Sequence, residues 1–105
     1  MNRFMRILLF FDLPVMTSKQ RREYRIFSKN LIKNGYIMMQ ESVYSKLVIN
    51  YESSKAEIER LKKNVPKEGM IQCLIITEKQ FAGIINVLGQ VKTDKIFTDE
   101  RFVEI

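Results

Sequence analysis

Residues 5–14, Met-Arg-Ile-Leu-Leu-Phe-Phe-Asp-Leu-Pro, decide how the rest of the chain is read. Ile7, Leu8, Leu9, Phe10 and Phe11 form a continuous apolar run, which predicts a strand buried on both faces in mid-sheet. The run stops at Asp12, and Leu13-Pro14 follows. Proline cannot extend a ladder and restricts the residue before it, so the strand ends here. A carboxylate therefore stands at the carboxyl end of a central strand, where the chain leaves the sheet for a helix. In open α/β sheets ligands and metals gather at that end. Aspartate is also common there simply to end a strand or cap a turn. Position alone favours this plainer role.

Working outward, the 105 residues suffice for one domain with a modest core. A hydrophobic content of 46% with 29% charged residues describes a folded globular chain rather than a disordered one. No apolar run approaches the roughly 20 residues of a membrane helix. Arg3 and Arg6 flank only a short apolar run with no small-residue cleavage site, so a signal peptide is not expected. The single Cys73, set among Ile71, Leu74, Ile75 and Ile76, reads as an inert strand-core thiol, and a cytoplasmic location is expected. Eighteen Lys and Arg against 12 Asp and Glu give +6, which suits a polyanion, nucleic acid before an anionic membrane. The chain has no histidine, which removes the usual general base, His-based metal sites and the Ser-His triad. Any hydrolysis must rest on carboxylates, a metal and water.

After Pro14, Thr17 and Gln20 have capping-box spacing, and a helix is expected to run to about Asn34 with Gly35 as its C-cap. Tyr24, Phe27 and Leu31 make its core stripe. Arg22, Arg25, Lys29 and Lys33 recur on the opposite side, and Glu23 is the sole acid in the helix. A basic helix face is usually just solvated; the near absence of acids here points to one that tracks phosphates, with Arg21 added to the set. Tyr36 to Asn50 reads as two strands, with a turn or bulge at Gln40-Glu41-Ser42. A second helix is expected from a Ser54/Glu57 capping box, with Ile58, Leu61 and Val65 buried and Pro66 and Gly69 ending it. Lys55, Arg60, Lys62 and Lys63 would lie outward among Glu57 and Glu59 as mixed-charge surface. Met70 to Thr77 is a further apolar strand, and Glu78 to Phe81 a helical turn.

The order strand, helix, strand, strand, helix, strand is that of an α+β, ferredoxin-like βαββαβ domain spanning residues 1–105, with 89–105 as a C-terminal tail or edge strand. Both helices would cover one sheet face and leave the other open. Two-fold self-association is the simplest cover for an open apolar face, so a homodimer is expected.

Phe11-Asp12-Leu13-Pro14, the basic helix ending in Asn34-Gly35, and Gln40-Glu41-Ser42-Val43-Tyr44 together resemble the small CRISPR-associated adaptation subunit, the second of the two universal spacer-acquisition proteins. Thr77-Glu78-Lys79-Gln80-Phe81 is similar to its type II-A branch. The resemblance covers essentially the whole chain in size and element order. It implies a homodimer that sits between dimers of the CRISPR integrase subunit and holds duplex DNA along a basic surface. It also implies that Asp12 faces its symmetry mate and can share a divalent metal, Mg²⁺ or Mn²⁺, with cleavage of RNA or DNA attributed to some members. One carboxylate per chain is a poor Mg²⁺ site, whereas a two-fold pair meets the minimum of one or two carboxylates plus waters and phosphate. Ser42 or Tyr44 could at most position the phosphate or water. The leading expectation is a DNA-holding bridge; the alternative is a metal-dependent endonuclease with Asp12 as catalytic and metal-binding residue. A ribonuclease toxin of the same fold is hardly separated from these by sequence. A ferredoxin-like regulator ranks last, because no Gly-rich ligand loop and no aromatic RNA-stacking motif is present. Phe97, Phe102, Val103 and Ile105 are the expected docking edge for the integrase by strand addition.

Overall fold

The computed structural model describes residues 4–89. The expected C-terminal strand from residue 90 onward, with Phe97, Phe102, Val103 and Ile105, lies outside the described residues. The elements are β1 (Met5–Asp12), α1 (Ser18–Lys33), β2 (Ile37–Gln40), β3 (Val43–Val48), α2 (Tyr51–Leu61) with a 3-10 turn at Lys62–Asn64, β4 (Met70–Thr77) and the short α3 (Glu78–Ala82). The sheet runs β2-β3-β1-β4, and every neighbouring pair is antiparallel. This is the ferredoxin-like α+β arrangement that the element order predicts.

β1 is central, with Met5 opposite Val48 on one side and Thr77 on the other. The expectation that it is buried on both faces does not hold. Ile7, Leu9 and Phe11 are buried, but Leu8 is only half-buried and Phe10 is 36% exposed. The physical reason is the layering: the helices pack over the Ile7-Leu9-Phe11 face, and the alternate residues look out from the uncovered face. Register places Leu74, Leu47, Val43, Ile37 and Met70 on that same open face, and all but Val43 are exposed.

The core gathers around Phe11, whose ring meets Phe27 edge-on at 5.2 Å, Tyr24 edge-on at 5.8 Å and Tyr44 stacked at 5.7 Å. α1 is entered as expected. Thr17 Oγ1 accepts from the Gln20 amide at 3.0 Å, and Gln20 Oε1 accepts from the Thr17 amide at 3.0 Å. The helix ends at Asn34, and Gly35, with φ +93°, takes the left-handed position one residue beyond. The β2–β3 connection is both a turn and a bulge: Ser42 sits at φ 68°, and the register shifts between Met38 and Gln40.

α2 departs from expectation. It begins at Tyr51, with Asn50 Oδ1 accepting from the Ser53 amide at 2.7 Å. Ser54 lies within the helix, where it is buried and donates to the Tyr51 carbonyl. Asn is a strong cap, and Ser54/Glu57 at i, i+3 are also neighbours inside a helix, so the spacing had two solutions. The helix tightens into its 3-10 turn before Val65, which is 43% exposed and leaves the buried stripe. Thr77 and Gln80 close the expected helical turn as α3, by a second capping box. α3 is fastened to β1 by Arg6, which donates to the Glu78 carboxylate at 2.7 and 3.1 Å and lies 4.3 Å over the Phe81 ring.

Candidate nucleic-acid interface and strand-end carboxylate

Asp12 is the last residue of β1, opposite Met70 on β4, and is exposed. Alternation along β1 puts it on the open face, since Phe11 points into the core. The backbone around it is set by packing: Leu13 is buried, and Gly69 runs hard against the strand end at φ +105°. A Cβ on Gly69 would lie 2.7 Å from the Asp12 carbonyl oxygen and 2.7 Å from Leu13 Cδ2. Among the described residues, no group of three or more His, Cys, Asp or Glu side chains could enclose a metal ion. Asp12 belongs to no such cluster, and by itself gives a single carboxylate, the lower end of what Mg²⁺ takes from protein.

The two hydroxyls considered as helpers are engaged elsewhere. Tyr44 is buried against Phe11 in the core. Ser42 Oγ shares a 2.9 Å hydrogen bond with Tyr24 Oη on α1, on the helix-covered side. Asp12 stands without either.

The basic helix face is formed as expected. Arg22, Arg25, Lys29 and Lys33 are all exposed, and none makes an ion pair among the described residues. Arg21 behaves differently: its guanidinium donates to the Val15 carbonyl at 3.1 Å and the Met16 carbonyl at 3.2 Å, pinning the loop that follows Pro14. The basic face and Asp12 are not brought together, because α1 lies over one face of the sheet and Asp12 looks out from the other.

The family model described as "CRISPR associated protein Cas2" matches residues 5–84. The chain belongs to the Cas2 family. A relative named "CRISPR-associated endoribonuclease Cas2" from Treponema denticola is 48% identical over 99 residues, covering 94% of this chain and 98% of its own. A protein of the same name from Streptococcus mutans is also 48% identical over 99 residues, covering 94% and 91%. A structure titled "Crystal structure of cas2" superposes with a TM-score of 0.59 at 21% identity, over 86% of this chain and 92% of that one, a likeness of fold. No helix among the described residues of this Cas2-family chain is long and apolar enough to cross a membrane.

Three features of the Cas2-family chain escaped the reading of the sequence. Glu57, expected outward, is only 7% exposed; its carboxylate accepts from Lys46 Nζ at 3.2 Å and from Arg60. Tyr36 beside it is buried, and burial first, then the Glu57 charge, hold its phenol well above the ordinary range. Lys46 comes from β3, so no local spacing could have shown this network. The second feature is Ile26, half exposed in the middle of the basic face of α1, where helical spacing alone could have placed it. The third is an apolar groove of about 280 Å³ between α2 and β4, lined by Leu9, Ile58, Leu61, Ile71 and Cys73. Burial pushes the Cys73 thiol up.

Proposed function

We propose that this Cas2-family chain serves CRISPR spacer acquisition in the cytoplasm, as a homodimer that holds duplex DNA along α1 and bridges integrase subunits. The observation that carries this reading is the set of four exposed cations, Arg22, Arg25, Lys29 and Lys33, left without ionic partners among the described residues. Such a row can neutralise successive phosphates without reading sequence, and each contact releases counterions. The homodimer is supported by the open sheet face, where Phe10, Ile37, Leu47, Leu74 and Met70 expose apolar surface that water disfavours. Phe97, Phe102, Val103 and Ile105 are assigned to the integrase contact. The test is duplex binding followed by fluorescence anisotropy across salt. Reversing Arg22 and Arg25 to Glu is expected to lower affinity and flatten the salt dependence; an unchanged titration removes α1 from the interface.

A second reading, metal-dependent endoribonuclease, has its own support: the relatives carry that name, and Asp12 sits exposed on the face offered to a second copy. A two-fold axis through this face would let two Asp12 carboxylates share an Mg²⁺. When bound, the ion would supply Lewis-acid polarisation of a scissile phosphate and a more acidic water. Asp12 would be the residue that holds that ion, and Gly69 lets the chain entering β4 approach closely enough to fix the Asp12 backbone. Cleavage of labelled RNA and DNA by wild type but not by Asp12→Ala, and abolished by chelation, is the result this reading requires. Cutting that persists in the variant excludes it.

A further inference from the structure

Among the described residues, Ser42 is the one non-glycine residue with positive φ, at 68°. It is the second residue of the two-residue connection between Gln40 and Val43, which pair across β2 and β3. A turn position with that φ ordinarily belongs to Gly or Asn, because a Cβ is strained there. What serine offers and glycine lacks is a hydroxyl, and this one shares a 2.9 Å hydrogen bond with Tyr24 Oη on α1. The Ser42 carbonyl accepts from the Phe11 amide at 3.0 Å. The register of β1 with β3 ends one residue earlier, at Phe10 and Val43, so this bond holds the β3 side of the strand end. The next residue is Asp12. On its other side Met70 pairs with Asp12, and Gly69 packs against the Asp12 carbonyl. The strand end is gripped from both neighbours, and the grip from β3 depends on a strained residue and one side-chain hydrogen bond.

We propose that Ser42, held by Tyr24, is a positioning residue for Asp12. This rests on the reading of Asp12 as the residue that holds a divalent metal. Ser42 acts through the backbone. Tyr24 fixes its hydroxyl on the helix-covered side, its carbonyl fixes the Phe11 amide, and the Phe11 peptide carries Asp12 onto the open face. The Phe11 ring is itself set among Tyr24, Phe27 and Tyr44, so the strand end cannot turn without disturbing the core. Asp12 by itself gives a single carboxylate, so its hold on a metal depends on where that carboxylate points. Groups behind a metal ligand set its orientation and tune metal affinity. Backbone strain that persists because its surroundings over-determine it gathers at such places. Tyr24 belongs to α1, so the helix that carries the row of cations also sets the strand-end carboxylate, although the two look out from opposite faces of the sheet.

The experiment titrates the full chain with Mn²⁺ alone, following free Mn²⁺ by electron paramagnetic resonance, and records a thermal melt of each protein. Ser42→Gly keeps the left-handed turn, which glycine adopts freely, and removes the hydroxyl. Tyr24→Phe removes the same hydrogen bond from the helix side and keeps the ring against Phe11. Each is expected to weaken Mn²⁺ binding about tenfold, with a melting temperature within about 4 °C of wild type. The double variant is expected to lose no more than either single one, because both changes delete one hydrogen bond. A turn that only held the fold would lower the melting temperature and leave Mn²⁺ affinity where it was. Wild-type Mn²⁺ affinity in either folded variant overturns the proposal, as does a double variant whose losses add. Should Ser42→Gly not fold, Tyr24→Phe decides alone. The underlying reading fails separately: if Asp12→Ala binds Mn²⁺ as tightly as wild type, Asp12 holds no metal and Ser42 has nothing to position.

Discussion

α1 and α2 cover the same face of one sheet, and both present lysines and arginines outward, yet only α2 carries acids that pair with some of its cations. On α2 and the 3-10 turn after it, Arg60 and Lys62 are paired with acids of the helix, whereas Lys55 and Lys63 make no ion pair among the described residues. Glu57 takes Lys46 and Arg60, and Glu59 takes Lys62 at 2.9 Å. On α1, Arg22, Arg25, Lys29 and Lys33 have no such partners among the described residues. Similar amphipathic helices therefore do different work: α2 is bound into the domain by its charges, and α1 keeps its charges available for a polyanion. The contrast is visible only when acids are counted with bases, because a row of cations means little until its counter-charges are located.

The largest effect is expected where the contrast is sharpest. Glu57→Gln removes the one carboxylate between Lys46 and Arg60 while keeping shape, and leaves a largely buried ammonium facing a guanidinium. The expected loss is about 2–4 kcal/mol, read from the denaturant midpoint at unchanged slope. A loss below about 0.5 kcal/mol would mean that the pairing is surface decoration and that the two helices do not differ in this way.

Reversing charge on α1 is the complementary test. Arg22→Glu/Arg25→Glu is expected to leave unfolding within about 0.5 kcal/mol of wild type, because these side chains touch nothing that holds the fold. Its effect belongs in binding: two lost phosphate contacts should reduce the salt slope by about 2. A destabilised but fully binding variant would invert the comparison and make α1 the structural helix.

How far the sequence could show this follows from where the determinants lie. α1 was legible because everything that makes it is local: the Thr17/Gln20 cap, the Tyr24-Phe27-Leu31 stripe, the row of cations and the missing acids. Asp12 was legible as a strand-end residue for the same reason, being bracketed by an apolar run and Pro14. α2 was not, since the fate of Glu57 depends on Lys46 from another strand, and nothing in the Ser54/Glu57 spacing distinguishes a cap from one turn inside a helix. β1 misled in another way. A run apolar on both faces looks the same whether its second face meets helices or awaits a second chain, so Phe10 read as core although it is surface. The separation of Asp12 from the basic face is likewise a property of layering, which no motif encodes.

A smaller effect would settle where α2 begins. Asn50→Ala should lose about 1 kcal/mol, as should Thr17→Ala at the start of α1, because each removes a side-chain acceptor from an otherwise open helix amide. Ser54→Ala should cost less than Asn50→Ala, since its hydroxyl donates to a carbonyl within the helix rather than closing its end. The reverse order in a pair of melts would restore Ser54 as the cap.

The smallest expected effect marks the boundary of the comparison. Lys62 and Glu59 are paired, but both are well exposed, so Lys62→Ala should change stability by no more than about 0.5 kcal/mol. Lys62 already has Glu59 as its counter-charge, so duplex affinity should barely move, whereas the single change Lys29→Ala should lower the salt slope by about 1. If Lys62→Ala weakened duplex binding as much as Lys29→Ala, an ion pair would not be enough to withdraw a lysine from a polyanion, and the reason for assigning DNA to α1 rather than α2 would disappear.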